Sequence, residues 1–305
     1  PQASEPWFDV RATGLRTLMQ DLGRSGQTRM GVSRSGALDR GAVRDANRIV
    51  GNPGGAPVLE NLLGGLQLRC HGRVVLAVTG ADAPLYIVTS IGGRVPAQAY
   101  QPLALDDGDT LHIGPPRAGT CFYVAVRGAW DVSPVLGSCA TDTLAGIGPA
   151  PLAIGDALAV GQPSRTAVLP GLSRPFDLPR AGDVLSLDVI LGPRADWFTD
   201  QALEHLAAQE WTVTPQSDRV GMRLAGAHPL ARNATAELPS EGAVVGAIQV
   251  PANGRPVLFL ADHPLTGGYP VIGAVAGHDL DRAAQMPVGA RVRFRPIGPF
   301  KEIQP

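Results

Sequence analysis

The sequence predicts a mainly β chain of two domains with a few short helices. Most of its apolar runs are short and end at turn-forming residues, the pattern of strands in barrels or sandwiches. Glycine and proline, 38 and 28 of 305 residues, supply about a fifth of the chain, so its direction changes often. At about 150 residues per domain the length divides into two.

In chain order, the first clear element is a helix from Asp39 to Val50. Its apolar residues fall at 42, 43, 46, 49 and 50, one helical face, with Asp39 as N-cap and Gly51-Asn52-Pro53 as the stop. Strands follow at Val74–Val78 and Leu85–Val88. Two more lie within Leu103–Ile113 around Asp106-Asp107-Gly108-Asp109, where Asp-Gly signals a hairpin, and another spans Cys121–Val126. Gly161–Gly182, with Pro163, Pro170, Pro175 and Pro179, reads as a linker. The expected division is therefore 1–162, a linker at 163–182, and 183–305. The second half offers strands at Val184–Leu191, Ala243–Val250, Pro256–Leu260 and Val292–Phe294. It also offers a helix over Asp196–Gln209 and a weaker one over Asp279–Gln285. Ala153–Leu158 and Pro287–Val292 each read as a small turn followed by a strand, a faint hint that the halves are related.

Composition narrows the chemistry. With 26 basic and 27 acidic residues, no global field draws the chain to nucleic acid or to an anionic membrane. Lys301 is the only lysine, so a lysine nucleophile, a P-loop lysine or a biotin-carrying lysine is excluded from the body of the chain. Cys70, Cys121 and Cys139 are an odd set without a C-x-x-C pair, as expected of reduced thiols rather than of a disulfide framework or zinc site. PQASEPWFDV has neither a basic nor an apolar signal segment, and no apolar run approaches the ~18 residues of a membrane span, so a soluble, cytoplasmic protein is expected. Against that background the sequon Asn233-Ala234-Thr235 carries no weight. There is no G-x-x-x-x-G-K-[ST], H-E-x-x-H, G-x-S-x-G or S-x-x-K, and no metal is expected.

What remains is a set of polar clusters with glycines. Gln20-Asp21-Leu22-Gly23-Arg24-Ser25-Gly26 joins an amide, a carboxylate and a guanidinium to backbone that can approach a ligand closely, or it is a turn with a local ion pair. Ser217-Asp218-Arg219-Val220-Gly221-Met222-Arg223 repeats the recipe, its two arginines four apart and so on one face if this is a strand. Ser240-Glu241-Gly242, Gln249, and Asp262 with Thr266-Gly267-Gly268-Tyr269-Pro270 border apolar strands, where a β scaffold displays either a site or an ordinary hairpin. Glu60 is a charge inside an apolar stretch, either paired for structure or part of a site.

Taken in order, these segments carry a resemblance. They are Thr17–Arg24, Gly31–Asp39, Ala46–Asn52 and Leu59-Glu60 in the first half. In the second they are Ser217–Gly221, Ser240–Gly242, Ile248–Pro251, and Leu260–Asp262 with Thr266–Pro270. Over about residues 10 to 297 the chain resembles the KipA family, also labelled allophanate hydrolase subunit 2, biotin-dependent carboxyltransferase, and the C-type subunit of the prokaryotic 5-oxoprolinase. The resemblance implies two cyclophilin-like β-barrel subdomains with a cleft between them, and a KipI-like partner. It implies one of three roles. The first is a subunit of an ATP-dependent complex that opens 5-oxoproline to glutamate with a LamB/YcsF-type subunit, the ATP bound here or on a partner. The second is a carboxyltransferase half that receives carboxybiotin from a partner and acts on a urea-like substrate. The third is a non-enzymatic regulator of the KipI-like protein. Three departures stand out: Cys139-Ala140 where the family usually has Arg-Ser, His263-Pro264 after the aspartate, and Val271 where many members place a lysine.

For amide activation, Asp262 or Glu241 is expected as base and Arg24, Arg219 and Arg223 as forks for phosphate or carboxylate oxygens; for carboxyl transfer, Gln20 and Arg219 are expected to stabilise the developing charge. Arg24, Asp21, Arg223, Ser217, Gln249, Thr266, Gly267, Gly268 and Tyr269 are expected around the substrate. Gln20, Arg24, Arg219, Arg223 and Asp262 are expected to face one cavity.

Overall fold

A computed structural model of the chain describes residues 5–163, 165–233 and 238–299. Lys301 and most of the sequon lie outside the described residues. The chain is mainly β and divides into two compact units: residues 1–25, 35–142 and 146–178, and residues 26–34, 143–145 and 179–305. None of the described helices is long and apolar enough to cross a membrane.

The first unit contains β1 (Trp7–Thr13), β2 (Arg16–Gln20), α1 (Arg40–Val50), β3 (Val58–Leu62), β4 (Leu66–His71), β5 (Val74–Asp82), β6 (Leu85–Val88), β7 (Arg94–Ala97), β8 (Pro102–Leu105), β9 (Thr110–Ile113), β10 (Ala118–Val126) and β11 (Ala157–Ala159). They form a six-stranded sheet, β11-β1-β4-β9-β6-β7, and a five-stranded one, β2-β3-β10-β5-β8. Inward residues of both, among them Phe8, Leu68, Leu111, Leu76, Val78, Phe122 and Val124, share one core. The other face of the five-stranded sheet takes α1, whose Ala42, Val43, Ala46, Ile49 and Val50 pack with Val58, Ala77, Cys121, Tyr123 and Ala125. Covered on both faces, β10 is buried at every position, which is why it reads as a continuous apolar run. Asp39 caps α1 as expected, accepting the Ala42 N–H at 2.8 Å, and Gly51 ends it in the left-handed conformation at φ 75°.

The expected Asp-Gly hairpin is not one. β8 pairs with β5 and β9 with β4 and β6, so the Asp106–Asp109 turn carries the chain from one sheet to the other. Asp109 holds it there, its carboxylate accepting the Ser90 and Asp106 N–H groups at 2.9 and 3.0 Å.

The second unit closes a barrel, β12-β19-β16-β17-β14-β13-β20, from β12 (Val184–Leu191), β13 (Trp211–Val213), β14 (Gly221–Ala225), β16 (Ala247–Gln249), β17 (Val257–Phe259), β19 (Val271–Val275) and β20 (Arg291–Pro299). The parallel pairing of β12 with β20 makes the seam. A two-stranded ribbon, β15 (Glu241–Gly242) with β18 (Thr266–Gly267), is separate from the barrel sheet.

Several boundaries differ from expectation. The helix at 196–209 breaks into a 3-10 turn, Ala195–Trp197, and α2 (Asp200–Ala208), because Thr199 caps the latter through the Ala202 N–H. The strand expected at Ala243–Val250 is only β16, since Gly246 takes φ +86° just before it. β20 runs five residues past Phe294 with little burial, paired along β12. The weak third helix exists as α3 (Leu280–Ala284) behind a 3-10 turn.

Candidate functional site

In the first unit, Gln20 ends β2 and Asp21 opens the turn that follows. Asp21 Oδ1 accepts the Gly23 N–H at 2.7 Å and the Ser138 hydroxyl at 2.6 Å, and Oδ2 accepts the Cys139 N–H at 2.7 Å. Gln20 Nε2 donates to Thr141 O at 2.8 Å, and Arg24 Nη2 donates to Ala140 O. Three side chains of one short stretch thus hold both polarities of the 138–141 backbone. Gly36 permits this: at φ +95° a Cβ there would lie 2.7 Å from Gly23 N. Gly148 does the same behind Ala140, whose carbonyl oxygen would sit 2.2 Å from an added Cβ.

Two atoms of Arg24, Nε and Nη1, and Gln20 Oε1 are buried without a hydrogen-bond partner. Arg24 is 1% exposed and Gln20 wholly buried. Cys139 is buried too; desolvation first, then the Asp21 charge, pushes its thiol above the ordinary range, against a lowering by Arg24. The sulfur donates to Val132 O at 3.4 Å. Glu60 accepts from Leu38 N–H at 3.0 Å and from the Tyr123 hydroxyl at 2.9 Å beneath α1, which fits the structural alternative for that charge. Burial, followed by the Glu60 charge, drives the Tyr123 phenol well above its ordinary pKa.

In the second unit, Arg219 and Asp262 form a wholly buried pair. The Thr143 N–H and hydroxyl donate to the same Asp262 Oδ2 at 2.9 and 2.7 Å, so that carboxylate is engaged by the chain's own donors. Arg223 does not share a face with Arg219. Asp218 Oδ1 accepts the Val220 and Gly221 N–H groups, a turn that keeps Arg219 outside the strand; Arg223, within β14, is exposed. It lines a cavity of about 160 Å³ with Thr214, Gln216 and Arg255 instead. Ser217 serves the same turn, its hydroxyl accepting the Arg223 N–H at 3.0 Å.

Glu241 is also committed. Arg194 Nε lies 2.9 and 3.1 Å from its two oxygens, and this hydrogen-bonded partner holds its carboxyl below the usual range, which makes it a weak base. Glu241 stands opposite Gly267 in the ribbon, and Gly242 opposite Thr266. A Cβ at Gly267 would lie 2.3 Å from Gln249 Nε2, so that glycine makes room for the Gln249 amide, which donates to Tyr269 O at 3.3 Å. Gly268 meets only ordinary contact, with Leu238 O 3.5 Å from an added Cβ. Tyr269 stays half-exposed with Arg232 over its ring.

Ser138, Thr143 and Arg194, which partner Asp21, Asp262 and Glu241, were not among the expected residues. All three sit far from their partners in sequence, and no local spacing announces them.

The fold is mainly β with a closed seven-stranded barrel and buried polar clusters, and comparison with known proteins places it in a family. Residues 30–296 match the family "Carboxyltransferase domain, subdomain A and B", to which the chain belongs. It is similar to the C-type subunit of 5-oxoprolinase from Escherichia coli (strain K12), 35% identical over 93% of this chain and 89% of that one. It is also similar to the C-type subunit of 5-oxoprolinase from Haemophilus influenzae, 31% identical over 95% of this chain and 91% of that one. Among solved structures, the urea amidolyase of Kluyveromyces lactis superposes with a TM-score of 0.85 at 28% identity, covering 96% of this chain but 19% of that one.

Proposed function

We propose that the chain is the C-type subunit of an ATP-dependent 5-oxoprolinase, opening 5-oxoproline to glutamate with a KipI-like and a LamB/YcsF-type subunit in the cytoplasm. One observation carries this reading. The similarity to the Escherichia coli protein runs through nearly the full length of both chains. By contrast, the chain corresponds to about a fifth of the urea amidolyase, the size of one domain in a larger enzyme.

The lactam amide is a poor electrophile, so ATP as co-substrate would activate its carbonyl before water opens the ring. The chain has no glycine–lysine phosphate loop, and its one lysine is Lys301, so the nucleotide need not lie on this subunit. This chain would bind and orient the lactam. The Asp21 network would fix the 138–141 loop, and the Arg219–Asp262 pair would fix Thr143. Held loops of this kind keep reacting groups in a productive geometry.

The alternative is a carboxyltransferase half receiving carboxybiotin from a partner, favoured by the TM-score to the urea amidolyase. A regulatory partner of a KipI-like protein is a third reading. Co-expression with KipI-like and LamB/YcsF-type partners, followed by an assay of 5-oxoproline-dependent ATP hydrolysis, separates the three. Turnover dependent on all subunits supports the first reading. Carboxylation of urea by a biotin-bearing partner supports the second, and a stable but inert pair supports the third.

A further inference from the structure

We propose that Arg24 and Gln20 form the anchor for the substrate, Arg24 holding the carboxylate of the lactam acid and Gln20 accepting its ring N–H. The assignment rests on the reading of the chain as part of a 5-oxoprolinase. Arg24 has a single polar partner among the described residues, Ala140 O, and Nε and Nη1 have none. The neighbouring acid, Asp21, has its oxygens engaged by Gly23 N–H, the Ser138 hydroxyl and Cys139 N–H. A guanidinium keeps its proton at any physiological pH, so burial leaves Arg24 with a full charge and no counter-charge bonded to it. An unpaired buried charge is costly, and water can hydrate it but not neutralise it. That is the signature of a site that receives an anion.

Gln20 adds the opposite polarity. Its Nε2 is taken by Thr141 O, while Oε1 is buried with no donor facing it. The two side chains donate to the adjacent carbonyls of Ala140 and Thr141, so both reach the same short stretch of backbone. Together they offer charged donors and one neutral acceptor. 5-Oxoproline presents the complement, a carboxylate and an amide N–H on one small ring. Urea has N–H groups but no anion, and would leave Arg24 uncompensated. A phosphate would suit Arg24, but it has no N–H, and only a P–OH could meet Gln20 Oε1, so it serves as the competitor in the test.

The test is calorimetric titration of the co-purified assembly, wild type and Arg24→Met, with 5-oxoproline, with 2-pyrrolidinone (the same lactam without its carboxylate), and with inorganic phosphate as competitor. Wild type should bind 5-oxoproline at least roughly tenfold more tightly than 2-pyrrolidinone, a comparison that needs no variant. Arg24→Met should weaken 5-oxoproline by roughly 10- to 100-fold and leave 2-pyrrolidinone unchanged. Gln20→Leu should weaken both lactams. Equal wild-type affinity for the two lactams, an Arg24→Met variant that binds 5-oxoproline like wild type, or displacement by phosphate overturns the assignment. If wild type hydrolyses ATP in response to 5-oxoproline while Arg24→Met keeps its affinity, only the anchor is lost. If wild type shows neither binding nor turnover, the functional reading falls with it.

Discussion

Arg219 lays Nε and Nη2 against the two oxygens of Asp262, at 2.9 and 3.1 Å, with both side chains closed to solvent. The pair also joins backbone, since the Asp262 N–H donates to Arg219 O at 2.9 Å. Two charges held this way are stabilising only as a pair, because either one left alone keeps its desolvation cost.

Asp262→Ala should therefore lower stability by about 3–5 kcal/mol, the penalty for removing one partner of a buried ion pair. Thr143 loses its acceptor at the same time. The double variant Arg219→Met, Asp262→Leu should recover much of the loss, since apolar groups of similar volume need no partner. Urea unfolding followed by the fluorescence of the four tryptophans, buried Trp211 among them, measures both. A double variant as unstable as the single one would show that the pair is worth more than its mutual compensation.

Asp21→Asn tests the 138–141 loop. Both carboxylate oxygens accept from N–H or O–H donors, so an amide NH2 must face one of them donor to donor. Leaving one donor unpaired costs about 1–3 kcal/mol. The expected outcome is that loss in urea unfolding, together with weaker 5-oxoproline binding because Ala140 and Thr141 move with the loop. Ser138→Ala, which removes one of the three donors, should be milder.

Asp188 provides a pH signature. Arg295 Nε lies 2.5 Å from its Oδ1 and His278 Nε2 3.1 Å from its Oδ2, and the Arg295 hydrogen bond is the main reason its carboxyl titrates below the ordinary 3.8. A carboxyl depressed in the folded state contributes stability that is fully present above its unfolded value, about 3.9, and is lost as pH falls through the lower folded value. The acid limb of the stability curve should thus steepen below about pH 4 in wild type and flatten in Asp188→Asn. Unfolding midpoints measured from pH 6 down to pH 3 check this. An unchanged acid limb in Asp188→Asn would assign that loss to other carboxylates.

How far the sequence reaches depends on the range of each interaction. The cap at Asp39, the stripe of α1 and the stop at Gly51 are local, and they were legible to the residue. β10 was legible as a strand because burial on both faces leaves no polar interruption. The Asp-Gly turn was misread because its local signal is that of a hairpin, while the partners of its strands, β5 on one side and β4 and β6 on the other, lie elsewhere in the chain. The site behaves likewise. Gln20, Asp21 and Arg24 stand out as a polar cluster, but what they hold, Ser138–Thr141, is more than a hundred residues away. Arg219 and Arg223 illustrate the reverse error. Their spacing implies one face only if the strand begins before Arg219, and the Asp218 turn delays it to Gly221.

Cys139 lies in the loop that the Asp21 carboxylate holds, and its surroundings argue against a nucleophilic role. The thiolate is the reactive form, and burial together with the Asp21 carboxylate disfavours it, with Arg24 opposing only in part. No histidine is among the groups that shift it, and the carboxylate that does, Asp21, is engaged by the Gly23, Ser138 and Cys139 donors. What the position contributes is its backbone, through the N–H held by Asp21 Oδ2, and a serine keeps that bond. Cys139→Ser in the assembled enzyme should therefore retain turnover within about threefold of wild type. The wild-type thiol should react with a maleimide more slowly than a free cysteine at the same pH. A loss of more than about tenfold, roughly 1.4 kcal/mol of barrier, would make the sulfur a participant in the reaction. Rapid labelling with full loss of activity, reversed in the serine variant, would place the thiol at the mouth of the site and not beneath it.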